Sequence, residues 1–474
     1  MNQKIAVGVV FVAALFMAIM DATIVNVALP TIGREFGVAA DQVATVSIAF
    51  LVSLAVFIPV SGWVGDRFGA RRTMLTAIVL FTLASALCGL AGSLDQLVLF
   101  RVLQGIGGGM LAPVGMAMLY RTFPPSERVR ASAMLTAPTT LAPAMGPVLG
   151  GLFVTHLSWR WVFYVNLPIG IAAVLFGVLF LREQDRQPAS RFDLPGFLLA
   201  GVGFGLVMYG VSVGPERGWH PPLVAGVVAG VLLLALLVPV ELRRAEPMLD
   251  LRIFRDGLFR SASIVLFLGS IAFLGVLFLV ALFLQDGLGR TALDSGLATF
   301  PEAVGVMVGA QLVTRRLYPA FGPRRVIAIG LLVVAGSVGL MGTVGLATNL
   351  WWMRTLMFVM GLGMSGVFVP AQAAAFATIS ASATGRASTL FNALRQLGGA
   401  IGVALLTTVV ALVGPIRMVN GVAHPDLGSY HLAFLVAAAV ALIASASALS
   451  ISDAAAAPTI RRRTRRDVDL AREG

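Results

Sequence analysis

The chain has 474 residues, of which 58% are hydrophobic and only 12% charged, with a mean hydropathy of +0.92. An ordinary soluble chain carries about 25% charged residues, so this one lacks the inventory to cover a globular surface, and a soluble multidomain protein is excluded. Its basic excess, 34 Lys+Arg against 22 Asp+Glu for a net charge of +12, falls mostly in short loops between apolar runs, where it sets topology instead of binding nucleic acid.

Fourteen apolar segments are long enough to cross about 30 Å of hydrocarbon. They are residues 5–29, 43–64, 73–92, 97–119, 132–155, 161–181, 194–213, 221–240, 261–285, 293–314, 325–346, 351–375, 387–413 and 430–451. Closed helical hydrogen bonding is what an apolar solvent permits for such runs, so the predicted fold class is an all-α polytopic membrane protein with 14 transmembrane helices. Residues 5–29 are too long for a signal peptide, carry Asp21 and end without a small-residue cleavage site, so they count as the first span.

With the N-terminus in the cytoplasm, 26 of the 34 basic residues fall on the cytoplasmic side, including Arg67, Arg71, Arg72, Arg243, Arg244, Arg386 and the Arg461–Arg466 cluster. Five fall outside: Arg34, Arg160, Arg217, Arg290 and Arg417. That bias predicts a cell-membrane protein with both termini cytoplasmic. Residues 187–190, 250–256 and the tail are then cytoplasmic, and 214–219 and 417–428 external.

Several chemistries are excluded. Lys4 is the only lysine and follows no glycine loop, so no Walker phosphate loop exists and ATP does not drive this chain directly. The four histidines and the single Cys88 lack metal-ligand spacing, so no metal, no cofactor and no catalytic cluster is expected.

The chain repeats itself. Phe68-Gly69-Ala70-Arg71-Arg72 recurs as Phe321-Gly322-Pro323-Arg324-Arg325 at an offset of 253, and Arg130-Ala131-Ser132 recurs as Arg386-Ala387-Ser388 at 256. The predicted organisation is a six-helix half at 1–182, a linker with inserted spans seven and eight at 183–256, a second six-helix half at 257–452, and a basic tail at 453–474. Spans seven and eight match neither half and are expected to pack peripherally. The connector 241–260, with five arginines and four acids, is expected to lie along the membrane surface.

Asp21, Arg101, Glu302 and Arg395 lie within the apolar runs, where each charge costs about 2.5–3.5 kcal/mol on insertion scales. They must face the protein interior or a watery cavity. Asp21 is about 24 Å along the first helix and Glu302 about 15 Å into span ten, by the helical rise. Burial disfavours the charged form of a carboxyl, so such an acid can take up and release a proton. Either Asp21 and Glu302 are protonation switches, or each is neutralised structurally, Asp21 by Arg101 and Glu302 by Arg395. Arg101 is near the span end and either joins the interior or snorkels to the headgroups. Asn26, Gln372, Asn392 and Arg395 are the polar candidates for a substrate cavity. The glycines at 105 and 107–109, and those at 146, 150 and 151, are read as close-packing faces. Pro143 and Pro147 add kinks to span five.

Five segments then match a family. Met20-Asp21-Ala22-Thr23-Ile24-Val25-Asn26-Val27-Ala28-Leu29-Pro30, Gly62 to Arg72, Arg101-Val102-Leu103-Gln104-Gly105, Ala142 to Gly151, and Trp159 to Pro168 appear in order on spans one, two, four, five and six. The chain resembles the fourteen-span drug:proton antiporter branch of the major facilitator superfamily. The resemblance implies a proton-coupled exporter of small amphipathic molecules, cationic or lipophilic, working as a monomer in the lipid bilayer on the proton gradient, without ATP or nucleic acid. The resemblance supports Asp21 and Arg101 in proton coupling; Glu302 joins them on its depth and interiority alone. Asp66, Arg67, Gly69 and Arg71, in a loop too short to be a domain and set against span ends, are expected to form a gating latch. The antiporter motif falls on Pro143, Gly146, Pro147, Gly150 and Gly151. In the repeat, Pro319 stands where the first half has Asp66, so the halves are expected to gate unequally. The competing readings are a dedicated exporter of one endogenous lipid or secondary metabolite, and a receptor or scaffold that no longer transports.

Overall fold

The computed structural model describes residues 2–183, 191–414, 416–419 and 422–460. Residues 187–190 and the basic tail beyond 460 lie outside the described residues.

The helices run α1 Gln3–Phe36, a single turn α2 Ala40–Val43, α3 Thr45–Phe57, α4 Ser61–Phe68, α5 Ala70–Leu90, α6 Leu94–Thr122, α7 Arg128–His156, the turn α8 Trp161–Tyr164, and α9 Asn166–Phe180. They continue with α10 Leu194–Arg217, α11 Pro221–Arg243, α12 Gly257–Leu282, α13 Ala292–Leu312, α14 Tyr318–Met341, α15 Leu350–Ala375, α16 Thr384–Val413 and α17 Leu427–Ala448. A two-stranded antiparallel hairpin, β1 Ile416–Val419 against β2 Val422–Pro425, precedes α17. Side-chain caps mark many starts: Ser93, Asp193, Asp256, Thr291, Asn349 and Asp426 each accept from a backbone N–H of the first turn.

Among the described residues, eleven helices are long and apolar enough to cross a membrane, or twelve when the bent pair α3 and α4 is one span. The chain is a multi-span membrane protein. Two expected segments differ in shape from the sequence reading. The second is bent by 57° between α3 and α4. The tenth and eleventh form one apolar helical run, Asp294–Met341, because the expected loop is wound into a wide turn at Val313–Leu317 and breaks only at Gly322, φ +74°.

The packing is mirrored. α1 lies on α7 as α12 lies on α16; α5 packs on α6 and α9 as α14 packs on α15 and α17; α3 meets α6 as α13 meets α15. Between these two sets, α7 touches α13 and α15, and α16 touches α4 and α6.

The inserted pair is not wholly peripheral. α11 presents Val228, Leu232 and Leu236 outward. α10, by contrast, bridges the two sets: Gly201 and Gly205, four residues apart, lie against Val56 of α3, while Val207 and Val211 bury with Ala404 of α16. Small residues one turn apart remove the side-chain thickness that would hold α10 at a distance. The following connector docks onto the bundle: Met248 and Leu249 are buried, and Asp250 meets Arg386 of α16 at 3.4 Å.

Candidate functional site

The first set of helices converges on one acid. Asp21 of α1 is fully buried, and Arg101 of α6 is 1% exposed. Arg101 Nη1 donates to Asp21 Oδ2 at 2.5 Å, while Gln104 Nε2 and Asn166 Nδ2 donate to Oδ1 at 2.9 and 2.8 Å. Arg101 and Gln104 are one helical step of three apart, so they share a face of α6, and Arg101 Nη1 also donates to Gln104 Oε1 at 2.7 Å. The guanidinium is further held by Val46 O at 3.3 Å and lies 4.2 Å from the Phe50 ring centroid. Asn166 Nδ2 reaches Ser85 Oγ at 3.0 Å. Arg101 therefore does not snorkel. A guanidinium buried in hydrocarbon needs a counter-ion, and Asp21 supplies one close by.

Glu302 and Arg395 are placed differently. Glu302 of α13 is 6% exposed, with Oε1 buried and unmatched. Arg395 of α16 is half-buried with an unmatched Nε. No ion pair joins them, so the mutual neutralisation is absent. Asn392 Nδ2 donates to Ser388 O at 2.9 Å and faces Met116 Sδ of α6 at 3.6 Å, leaving its Oδ1 without a partner. Gln372 is half-buried. Asn26 is exposed and accepts from Ser47 Oγ at 2.8 Å, which ties it to α3.

The latch residues gather at one end of the bundle. Asp66 accepts from Arg121 Nη2 of α6 at 2.8 Å, and Arg121 Nε donates across to Ala381 O between α15 and α16. A Cβ on Gly385, in the first turn of α16, would lie 3.0 Å from Asp66 Oδ1. The carboxylate thus faces a helix N-terminus, a favourable place for negative charge. Arg67 is exposed and is not the arginine that meets Asp66; Arg121 is, because α6 runs directly beside α4. Arg71 Nη2 donates to Val178 O at 2.8 Å and its backbone N–H to Glu183 Oε1 at 3.2 Å. Gly69 joins α4 to α5 at φ +94°, which a side chain would strain. Nearby, Arg128 donates to Phe376 O, and the Tyr120 ring stacks on Phe376 at 4.4 Å.

Gly146 and Gly150 of α7 seat it on α1. A Cβ on Gly146 would run into Thr23 Oγ1, and one on Gly150 would come within 3.1 Å of Ile24 O. Gly151 faces open space, so it takes no part in that seat. Pro143 is half-buried; the Pro147 side chain lies outside those described.

The major facilitator superfamily model matches residues 11–403. The chain belongs to the major facilitator superfamily. It is a transporter and not an enzyme. It is 35% identical to the multidrug resistance protein B homolog of Mycobacterium tuberculosis, over 85% of this chain and 75% of that relative. It is also 32% identical to the putative multidrug resistance protein MdtD of Escherichia coli, over 84% of each. The fold is similar to that of the human organic anion transporter MFSD10, with TM-score 0.68 at 17% identity over 94% of this chain and all of that one. It is also similar to the proton:xylose symporter XylE, with TM-score 0.65 at 14% identity over 94% and 95% of the two chains.

Within this superfamily fold, three positions were missed as site residues. Gln104 and Asn166 lie inside the motif segments already matched, and each is a polar residue in an apolar run, which was the available signal. Arg121 carries no such mark, since it sits among span-end arginines that all look like topology signals. A further pair escapes any sequence rule: Glu183 accepts the Arg71 N–H beside Gly69, and Asp453 accepts the Arg324 N–H at 3.0 Å beside Gly322. Both acids arrive from the far end of their half.

Proposed function

We propose that this transporter is a proton-coupled antiporter that exports small amphipathic molecules by alternating access. In this reading fourteen spans cross the cell membrane, with the Asp294–Met341 run counted as two and α7 as one. Both termini are cytoplasmic. The chain acts as a monomer and draws on the proton gradient, with no other cofactor.

The observation that carries the reading is the buried network around Asp21. A structural ion pair would need only Arg101. Here the carboxylate also takes Gln104 and Asn166, so α1, α6 and α9 all register its charge. Protonating Asp21 weakens every one of those bonds at once and frees Arg101, which is the form a helix-moving switch requires. The Asp66–Arg121–Ala381 contacts and the Arg128–Phe376 contact hold the two six-helix halves together at the end assigned to the cytoplasm. The described state is then closed on that side, and Asp21 exchanges its proton with the outside. The multidrug-resistance names of the curated relatives support export of varied small molecules.

Asp21→Asn keeps size and hydrogen bonding but removes the charge change. In proteoliposomes with an imposed pH gradient, uphill accumulation of a lipophilic dye should fall at least tenfold, on the order of one lost coupling interaction of 1.4 kcal/mol or more. Exchange of dye down its own gradient should persist. Wild-type accumulation by Asp21→Asn would make the network structural and move coupling to Glu302. Protection of cells against several unrelated compounds separates a broad exporter from a dedicated one.

A further inference from the structure

The segment that follows α17 is anchored to the second half and then crosses to the first. Ser261 Oγ of α12 donates to Ser450 O at 3.4 Å, and Ile451 and Ala456 bury in the core of the second half. Asp453 accepts the Arg324 N–H at 3.0 Å, in the room that Gly322 leaves for it. Thr459, 2% exposed, shares a hydrogen bond of 2.5 Å with the buried Tyr318 hydroxyl of α14.

Beyond these anchors the segment meets the other half. Its turn Ala457–Thr459 lies against the turn Pro125–Glu127 that joins α6 to α7. Ile460 packs on an apolar cluster in which Val129 of α7 joins Val313, Tyr318, Val326 and Ala373 of the second half. The turn Pro125–Glu127 is itself fixed to the first half, because Lys4 Nζ of α1 donates to Glu127 Oε2 at 2.6 Å. Glu183 sits on the Arg71 N–H much as Asp453 sits on that of Arg324. An acid at that place is thus common to both halves, and the crossing at 457–460 needs a separate reason.

We infer that residues 452–460 are a strap that holds the cytoplasmic end closed and parts from the turn Pro125–Glu127 when that end opens. The inference rests on the alternating-access reading above and adds a regulating contact to it. The strap has hydrogen bonds and buried residues on the second half. Among the described residues no hydrogen bond joins it to the first, so that weaker side is the one that separates. It closes a different seam from Asp66 and Arg121: those two act where α4 and α6 meet α16, and the strap acts where α7 meets α13 and α15.

The test uses the full-length transporter with its only cysteine removed by Cys88→Ala. Ser126→Cys and Ala457→Cys, both at exposed sites, are joined by a short, reducible bis-thiol reagent in proteoliposomes without a pH gradient. The linked protein should exchange a lipophilic dye down its gradient at least tenfold more slowly, and reduction should restore the rate. Each single-cysteine protein, treated alike, should be unaffected. Loosening the strap should act in the opposite sense. Tyr318→Phe and Thr459→Val remove their shared hydrogen bond from either side, so agreement between them separates its loss from a packing defect. Each should make Ala373→Cys, at a fully buried site, label about fivefold faster, the shift one net hydrogen bond makes in a two-state equilibrium. Wild-type exchange by the linked protein, failure of the two cysteines to link, or unchanged labelling in both loosened variants would overturn the inference. If the unlinked protein exchanged no dye, the transport reading would fail, and the labelling rates would still decide the strap.

Discussion

The two mirrored sets of helices use one packing plan and two different charge plans. In the first, Arg101 lies beneath Asp21 in a closed network of four side chains. In the second, the residue 253 positions on is again an arginine, but Arg354 is half-buried with its guanidinium 4.7 Å from the Trp351 ring. The position matching Gln104 is Met357, fully buried among apolar neighbours. With no acid on α12 to answer it, Arg354 stacks on an aromatic ring, an arrangement suited to the amphipathic edge of a span. The remaining charges, Glu302 and Arg395, stay unpaired. Helix packing here depends on glycine spacing, which both halves repeat; polar chemistry depends on single residues, which they do not.

The largest effect should come from opening the closed network. Arg101→Gln strands Asp21 as an uncompensated buried carboxylate and should destabilise the protein by about 3–5 kcal/mol. Glu302→Gln removes a charge that has no partner and should leave the unfolding midpoint unchanged or higher. Thermal unfolding in detergent measures both, and equal losses would erase the distinction between the halves.

The shared scaffold predicts the next effect. Gly146→Val drives a side chain into Thr23, and Gly402→Val drives one into Ile271 O. Each should cost about 1–3 kcal/mol, the usual penalty of overpacking. Gly151→Ala, into open space, should stay within about 0.5 kcal/mol. A harmless Gly402→Val beside a damaging Gly146→Val would mean that the mirrored seats are not equivalent.

The smallest effect concerns the Asp66–Arg121 pair, which has no counterpart in the second half because Pro319 stands where the first has Asp66. Arg121→Ala should weaken the contact between α6 and the α15–α16 loop by about 1–2 kcal/mol, as a part-buried ion pair and a bond to Ala381 are lost. Thr384 is 1% exposed there, so a cysteine at that site in a Cys88→Ala background reports the loosening as several-fold faster thiol labelling. Arg67→Ala, at an exposed site, should leave the labelling rate alone. Acceleration by Arg67→Ala and not by Arg121→Ala would restore the partner that the motif by itself suggested.

Much of this was legible in one dimension. Apolar runs of about 20 residues can only be helices in lipid, and the predicted segments fall on helices in the structure, with the second broken between α3 and α4; eleven or twelve of the helices are long and apolar enough to span. The offset of 253 identified the mirrored positions, because a repeat in sequence builds a repeat in packing. Motif glycines marked the α1–α7 seat, since only a missing side chain allows that approach. The interiority of Asp21 and Glu302 followed from the cost of charge in hydrocarbon.

Partner choice was not legible. Whether Arg101 turns to Asp21 or to the headgroups depends on where α1 and α6 cross, a distance that no local pattern encodes. Arg67 and Arg121 are equivalent in composition and topology, and only the proximity of α4 to α6 selects Arg121. The glycines at 201 and 205 are unremarkable in sequence until α10 is found bridging α3 and α16. Sequence alone determined which residues must leave the lipid, because transfer energy belongs to each residue by itself. The tertiary structure decided which of them meet, because hydrogen bonds and ion pairs form within about 3 Å, between side chains on helices far apart along the chain.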